Sequence, residues 1–144
     1  MKKTNYLMVL LSAVLVLVAA CDKEKVVSAD GLPSKAQTYI TQHFPEHEIL
    51  QVVKERDDLK TSYDVYLSEG YNLDFDKNGN IVGVEGSKKL PDSVIPSSIL
   101  TYVNANYSDY FILDWELDDR GQEVKLSNGM ELQFDKNGNF QRID

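Results

Sequence analysis

Two stretches of this chain are near copies of each other. Asp64 to Asn80 reads DVYLSEGYNLDFDKNGN and Glu123 to Asn139 reads EVKLSNGMELQFDKNGN; eleven of the seventeen positions are identical at an offset of 59. Further upstream, Leu32-Pro33-Ser34 matches Ile95-Pro96-Ser97 at an offset of 63, so the second copy is four residues shorter in between. A repeat of this length implies one supersecondary unit built twice, and any fold assigned to the chain must accommodate both copies.

Each copy opens on a helical pattern. Ala36, Tyr39, Ile40, His43 and Phe44 recur at i, i+3, i+4, i+7 and i+8, and Ile99, Tyr102, Val103 and Tyr107 repeat the stripe. Pro33 and Pro96 stand at the first turn, where a missing N–H costs nothing, and Pro45 ends the first helix. Strand patterns follow. Tyr63, Val65 and Leu67 alternate with polar or amphipathic neighbours, as do Tyr71, Leu73 and Phe75. Phe111, Leu113, Trp115 and Leu117 alternate with Ile112, Asp114 and Glu116, which leaves the face taken by Trp115 open. Gly- and Asn-rich turns punctuate these runs. Each unit therefore reads as α+β: one helix followed by an antiparallel meander of four strands, over residues 32–86 and 95–144.

Register decides what the turns do. A three-residue connection at Ser68-Glu69-Gly70 pairs Leu67 with Tyr71 and Val65 with Leu73, which gathers the apolar residues on one face. The same logic at Lys77-Asn78-Gly79 pairs Phe75 with Ile81, with Asp76 opening the turn and Gly79 closing it.

The N-terminal segment has a different character. Lys2 and Lys3, an apolar run from Tyr6 to Val18, and small residues before Cys21 have the layout of a secretory signal, expected to occupy residues 1–20. Val18-Ala19-Ala20-Cys21 resembles a bacterial lipobox, which implies cleavage before Cys21, a lipid on its sulfur, and attachment to the outer membrane on its periplasmic or cell-surface side. Cys21 is the only cysteine, so no intramolecular disulfide can form. Residues 21–31, charged and small, read as a tether to a domain spanning residues 32–144. Removing residues 1–20 takes two lysines and no acid, moving the formal net charge from −8 to −10. Such a chain repels phosphate, so nucleic acid is not an expected partner, and the membrane is engaged through the anchor alone.

Two motifs suggest metal chemistry. Asp74 to Glu85 reads DFDKNGNIVGVE and satisfies D-x-D-x-N-G-x5-E, with Asp74, Asp76, Asn78 and Glu85 as candidate calcium ligands. A calcium loop of that class lies between helices, whereas both flanks here read as strands. The second copy keeps DKNGN but carries Gln133 and Asp144 at the first and last ligand positions. A hairpin turn explains both copies. His43 to His47 reads HFPEH, an H-x-x-E-H pattern, but Pro45 interrupts the helix on which two histidines would share a zinc. No nucleophile elbow, phosphate loop or dinucleotide fingerprint is present. No cofactor and no catalytic residue is expected.

Leu-Pro or Ile-Pro before a helix, aromatics near the helix end, and FDKNGN closing a hairpin at Phe75 to Asn80 and Phe134 to Asn139 resemble the PepSY-like domains of exported Bacteroidetes-type lipoproteins. The resemblance spans Leu32 to Asp144. It implies the β-lactamase-inhibitor-protein-like fold, in which the tandem units form one sheet with the helices on one face. It also implies a binding role, including inhibition of a protease or another envelope protein. The opposite sheet face is then open. Alternation places Asp64, Tyr66, Asn72, Asp74, Val82 and Val84 there in the first copy, and Lys125, Glu131, Gln133, Gln141 and Ile143 in the second. The expected function is a non-enzymatic, lipid-anchored binding module for an envelope protein or peptide. The alternatives are a calcium-binding module at Asp74 to Glu85 and a hydrolase with a dispersed site.

Overall fold

The structure, a computed structural model, describes residues 23–57 and 59–144; the stretch read as a secretory signal and Cys21, read as the lipid attachment point, lie outside the described residues. The chain forms two helices, α1 (Ser34–His43) and α2 (Ser97–Asn106). Nine strands accompany them: β1 (Glu24–Val27), β2 (Ile49–Asp57), β3 (Lys60–Leu67), β4 (Tyr71–Asp76), β5 (Ile81–Gly86), β6 (Ile112–Leu117), β7 (Gln122–Leu126), β8 (Glu131–Phe134) and β9 (Phe140–Ile143). They make one antiparallel sheet in which the spatial order equals the chain order. Four strands follow each helix, as the periodicity predicts.

The core lies between the helices and one sheet face. Val27, Val52, Val65, Leu73, Val84, Trp115, Val124 and Leu132 are successive cross-strand partners along one row of that face. All but Val27 are buried. Ala36 and Ile40 of α1, and Ile99 and Val103 of α2, close over them. Burying each large apolar side chain contributes about 1.5–3 kcal/mol. Trp115, whose face the sequence left open, is core; its indole N–H donates to Oε1 of buried Gln122 at 2.9 Å.

The repeat is also a repeat of contacts. Tyr39 meets Phe75 edge-on at 5.7 Å, and Tyr102 meets Phe134 edge-on at 5.5 Å. The Oγ of Ser68 accepts from the Glu48 N–H at 3.0 Å, and that of Ser127 from the Phe111 N–H at 3.2 Å. The Leu-Ser shared by the two copies thus pins the entry of the chain into each meander.

The predicted registers Leu67↔Tyr71, Val65↔Leu73 and Phe75↔Ile81 are all present. Gly70 is left-handed as the turn requires (φ 81°), and Glu69 beside it is too (φ 64°). Three readings need correction. Glu24–Val27, assigned to the tether, is a strand paired with the outer edge of nine-residue β2; its charged composition hid a segment whose backbone satisfies an otherwise open edge. Val84 points into the core, because a bulge between the Asp74 and Phe75 pairings shifts the alternation of β5 by one. A corresponding bulge in β8–β9 makes Ile143 the partner of buried Leu132, so that Arg142, not Ile143, stands on the open face.

Candidate binding face of the sheet

On the side away from the helices, two rows of side chains run across the strands. One passes through Asp64, Asp74, Gly83, Glu116, Glu123, Gln133 and Arg142, each the register partner of the next. The second passes through Tyr66, Asn72, Glu85, Asp114, Lys125 and Glu131. Of the residues that alternation assigned to the open face, Asp64, Tyr66, Asn72, Asp74, Lys125, Glu131 and Gln133 stand on it together, whereas Val84 and Ile143 do not. The alternation of β6 carried the signal for Asp114 and Glu116, but the undecided facing of Trp115 masked it. Glu85 was hidden by the bulge that inverted β5.

The face is electrostatically lopsided. The two rows carry two cations: Lys125, the register partner of Asp114, which pairs with Glu131 at 3.4 Å, and Arg142, which pairs with Asp144 at 2.6 Å. Gln133 donates to the Glu123 carboxylate. Across β3 to β6, by contrast, carboxylates face carboxylates. Burial, and then the charges of Asp74 and Glu55, push the Asp64 carboxyl up to about 6. Burial, then Glu85 and Glu116, push Asp114 up to about 6 as well. Asp74 is raised by burial first and by Glu116, Glu85 and Glu55 next. Its carboxylate lies against Gly83, where an added Cβ would sit 2.9 Å from Oδ2.

These groups hold their protons more tightly folded than unfolded, so their ionisation destabilises the fold. The linkage slope is negative: stability falls as pH rises from about 4 to about 6 and levels off above. Asp118 and Asp135 act the other way. Hydrogen bonds hold them low, and their contribution is lost as pH drops below about 4. The melting temperature is therefore expected to be higher at pH 5 than at pH 8, and Asp64→Asn with Asp114→Asn is expected to flatten that difference in thermal melts.

The calcium-like stretch is a β-hairpin, β4 and β5 joined by the DKNGN turn. Oδ1 of Asp76 accepts the N–H of Asn78 at 2.8 Å and of Asn80 at 2.9 Å, and Oδ2 accepts the Asn80 amide at 2.7 Å. Asp135 repeats these bonds with Asn137 and Asn139 at 2.8, 2.9 and 2.8 Å. Glu85 pairs with Asn72, four residues along β4 from Asp76, which is about 13 Å of strand. The loop thus does not wrap Asp74, Asp76, Asn78 and Glu85 around one point. Among the described residues no group of three His, Cys, Asp or Glu side chains is placed to hold a metal ion. The two histidines have separate partners: His43 Nδ1 lies 2.9 Å from Ser93 Oγ, and the His47 ring packs edge-on against Phe44 and Tyr71.

A family profile described as "putative beta-lactamase-inhibitor-like, PepSY-like" matches this chain twice, over residues 19–81 and 60–142. The chain belongs to the PepSY-like family. Three solved structures show the same PepSY-like architecture. A "putative periplasmic protein from DUF2874 family" of Bacteroides vulgatus is 39% identical with a TM-score of 0.81, over 86% of this chain and 98% of that one. A "putative calcium-regulated periplasmic protein" of Bacteroides thetaiotaomicron is 38% identical with a TM-score of 0.82, over 85% and 98%. A "putative periplasmic protein of unknown function" from Bacteroides vulgatus is 31% identical with a TM-score of 0.79, over 84% and 98%. No curated protein matches the chain.

Proposed function

We propose that this PepSY-like protein is a non-enzymatic, exported binding module, held at the outer membrane by lipid on Cys21, that docks an envelope protein or peptide on its open sheet face. The observation that carries this reading is the block of partly buried carboxylates across β3 to β6, with Lys125 opposite Asp114 at one edge and half-exposed Tyr66 at another. Like charges held together at a cost to folding are relieved by a partner of opposite charge, so the contact surface of the partner is basic. An aromatic ring beside the charges adds the apolar contact that interface cores favour. The periplasmic description of three relatives supports export.

A photo-reactive side chain at Tyr66, compared with one at Thr41 on the exposed side of α1, tests the face directly in intact cells. Adducts are expected from position 66 alone. They should disappear when Asp64, Asp74 and Glu116 become Asn, Asn and Gln, and weaken with rising salt. The same adducts from both positions, or from the neutralised variant, would remove the open face from consideration.

Calcium is the second reading, favoured by the relative described as calcium-regulated. In this fold it would bridge carboxylates of the sheet face, since the Asp76 carboxylate is occupied by its own turn. Titration calorimetry decides it: a heat at millimolar calcium that Asp74→Asn abolishes establishes this reading, and no heat in the unmodified protein ends it.

A further inference from the structure

We infer that the strand-end turns on the side of residue 23 form a membrane-contact edge that rests in the headgroup layer of a phospholipid bilayer, an inference that builds on the lipid at Cys21 proposed above. The folded domain begins closer to that cysteine than a tethered arrangement would allow. The carbonyl of Lys23 already accepts the Arg56 N–H at 2.7 Å, and its side chain reaches Asp57 at 3.4 Å. Only two Cα–Cα steps separate Cys21 from Lys23, a reach of at most about 7 Å. The headgroup layer of one leaflet is itself about 5–8 Å deep. Acyl chains inserted from Cys21 therefore hold the edge of the sheet at the lipid surface.

What the fold places at this end suits such a surface. The turns β2–β3, β4–β5, β6–β7 and β8–β9 all lie here, and they carry exposed Lys60, Lys77, Arg120 and Lys136, with Lys23 and Arg56 alongside. Six of the thirteen Lys and Arg residues of 21–144 thus gather at one end of an acidic protein. The same end carries carboxylates as well, among them exposed Asp57 and Asp119, but three of these acids are turned inward. Asp76, Asp118 and Asp135 fold back onto backbone N–H groups of their own turns, at 2.7–2.9 Å. Lys23 pairs with Asp57 and Arg120 with Asp118, whereas the ammonium groups of Lys60, Lys77 and Lys136 are directed to lipid phosphates, which attract basic groups at an anionic surface. Between the turns lies an open depression whose lining includes Leu59, Val82 and Leu117, the side chains of Lys60, Lys77 and Lys136, and the carboxylates of Asp76, Asp118 and Asp119. Leu59 is 95% exposed, more than any other large apolar side chain described. An apolar tip flanked by lysines is an amphipathic arrangement that settles at a bilayer interface, stems in the acyl boundary and charges at the phosphates. Standing on this edge, the molecule keeps its carboxylate face directed sideways and accessible to a partner.

The test uses the acylated full-length protein in vesicles of phosphatidylethanolamine and phosphatidylglycerol with brominated acyl chains. Leu59→Trp places a reporter at the tip, and Leu50→Trp, at the opposite end of β2 and also exposed, serves as the reference. Both are read against the emission of Trp115. Leu59→Trp is expected to lose most of its added emission while Leu50→Trp keeps its own. Reversing Lys60, Lys77 and Lys136 to Glu is expected to restore emission at position 59 while the protein still floats with the vesicles. Equal emission at both positions in protein shown by mass spectrometry to be acylated at Cys21 overturns the edge contact and leaves the anchor standing. An unmodified Cys21 overturns both.

Discussion

Replacing Gly79 with alanine is expected to cost about 2–4 kcal/mol of folding stability, read as a lowered denaturant midpoint with an unchanged slope. Two penalties combine. Gly79 is left-handed, with φ of 80°, where an L side chain costs about 1–2 kcal/mol. An added Cβ would also sit 2.8 Å from the Cβ of Pro33 and 2.9 Å from the backbone nitrogen of Ala36. The turn at DKNGN is therefore a seat for the first turn of α1, and a seat made of backbone cannot yield. Gly138 is its counterpart under α2, with φ of 82°, but its nearest obstacle is the Ser98 hydroxyl, which can rotate away. Gly138→Ala should therefore cost less than Gly79→Ala. This double duty, closing a hairpin and seating a helix, explains why the motif persists in both copies while the flanking calcium-like positions do not.

Truncating either central phenylalanine is expected to be larger still. Phe75 and Phe134 are buried at equivalent places, beneath Tyr39 and Tyr102 respectively. Phe75→Ala and Phe134→Ala should each cost about 3–5 kcal/mol. The core residues of both units form one cluster. Either substitution should therefore lower a single shared transition, with far-ultraviolet dichroism and Trp115 fluorescence coinciding, although Trp115 belongs to the second unit. Two separate transitions would show that the halves fold independently.

Much of this architecture was legible from period and turn chemistry. The helical stripes follow from the 3.6-residue period, the hairpin registers around Gly70 and Gly79 from turn chemistry at pairs next to the turn, and the grouping of Asp64, Tyr66, Asn72 and Asp74 from alternation across the unbulged β3–β4 pair. Where alternation failed, an extra residue intervened: the bulges at Asp74/Phe75 and Gln133/Phe134 reversed the facing of Val84 and Ile143. A bulge leaves no clear compositional mark in those strands. Strand β1 escaped for a different reason. Four residues with two charges have no periodicity to read, and only the waiting edge of β2 makes them a strand. The charge crowding on the face was invisible in one dimension, because Glu116 reaches Asp74 only across β5, at the strand position taken by Gly83.

The sheet is laid out in the order in which the chain is written, and that bears on how it is made. Apart from the two connections that carry helices, each strand finds its partner a short turn away, so closure entropy is small and pairing is fast. A polypeptide emerging N-terminus first can add one strand after another to a growing edge. Its first helix is already seated on the sheet before the last hairpin has emerged, which shortens the time that a sticky half-sheet is exposed to its neighbours.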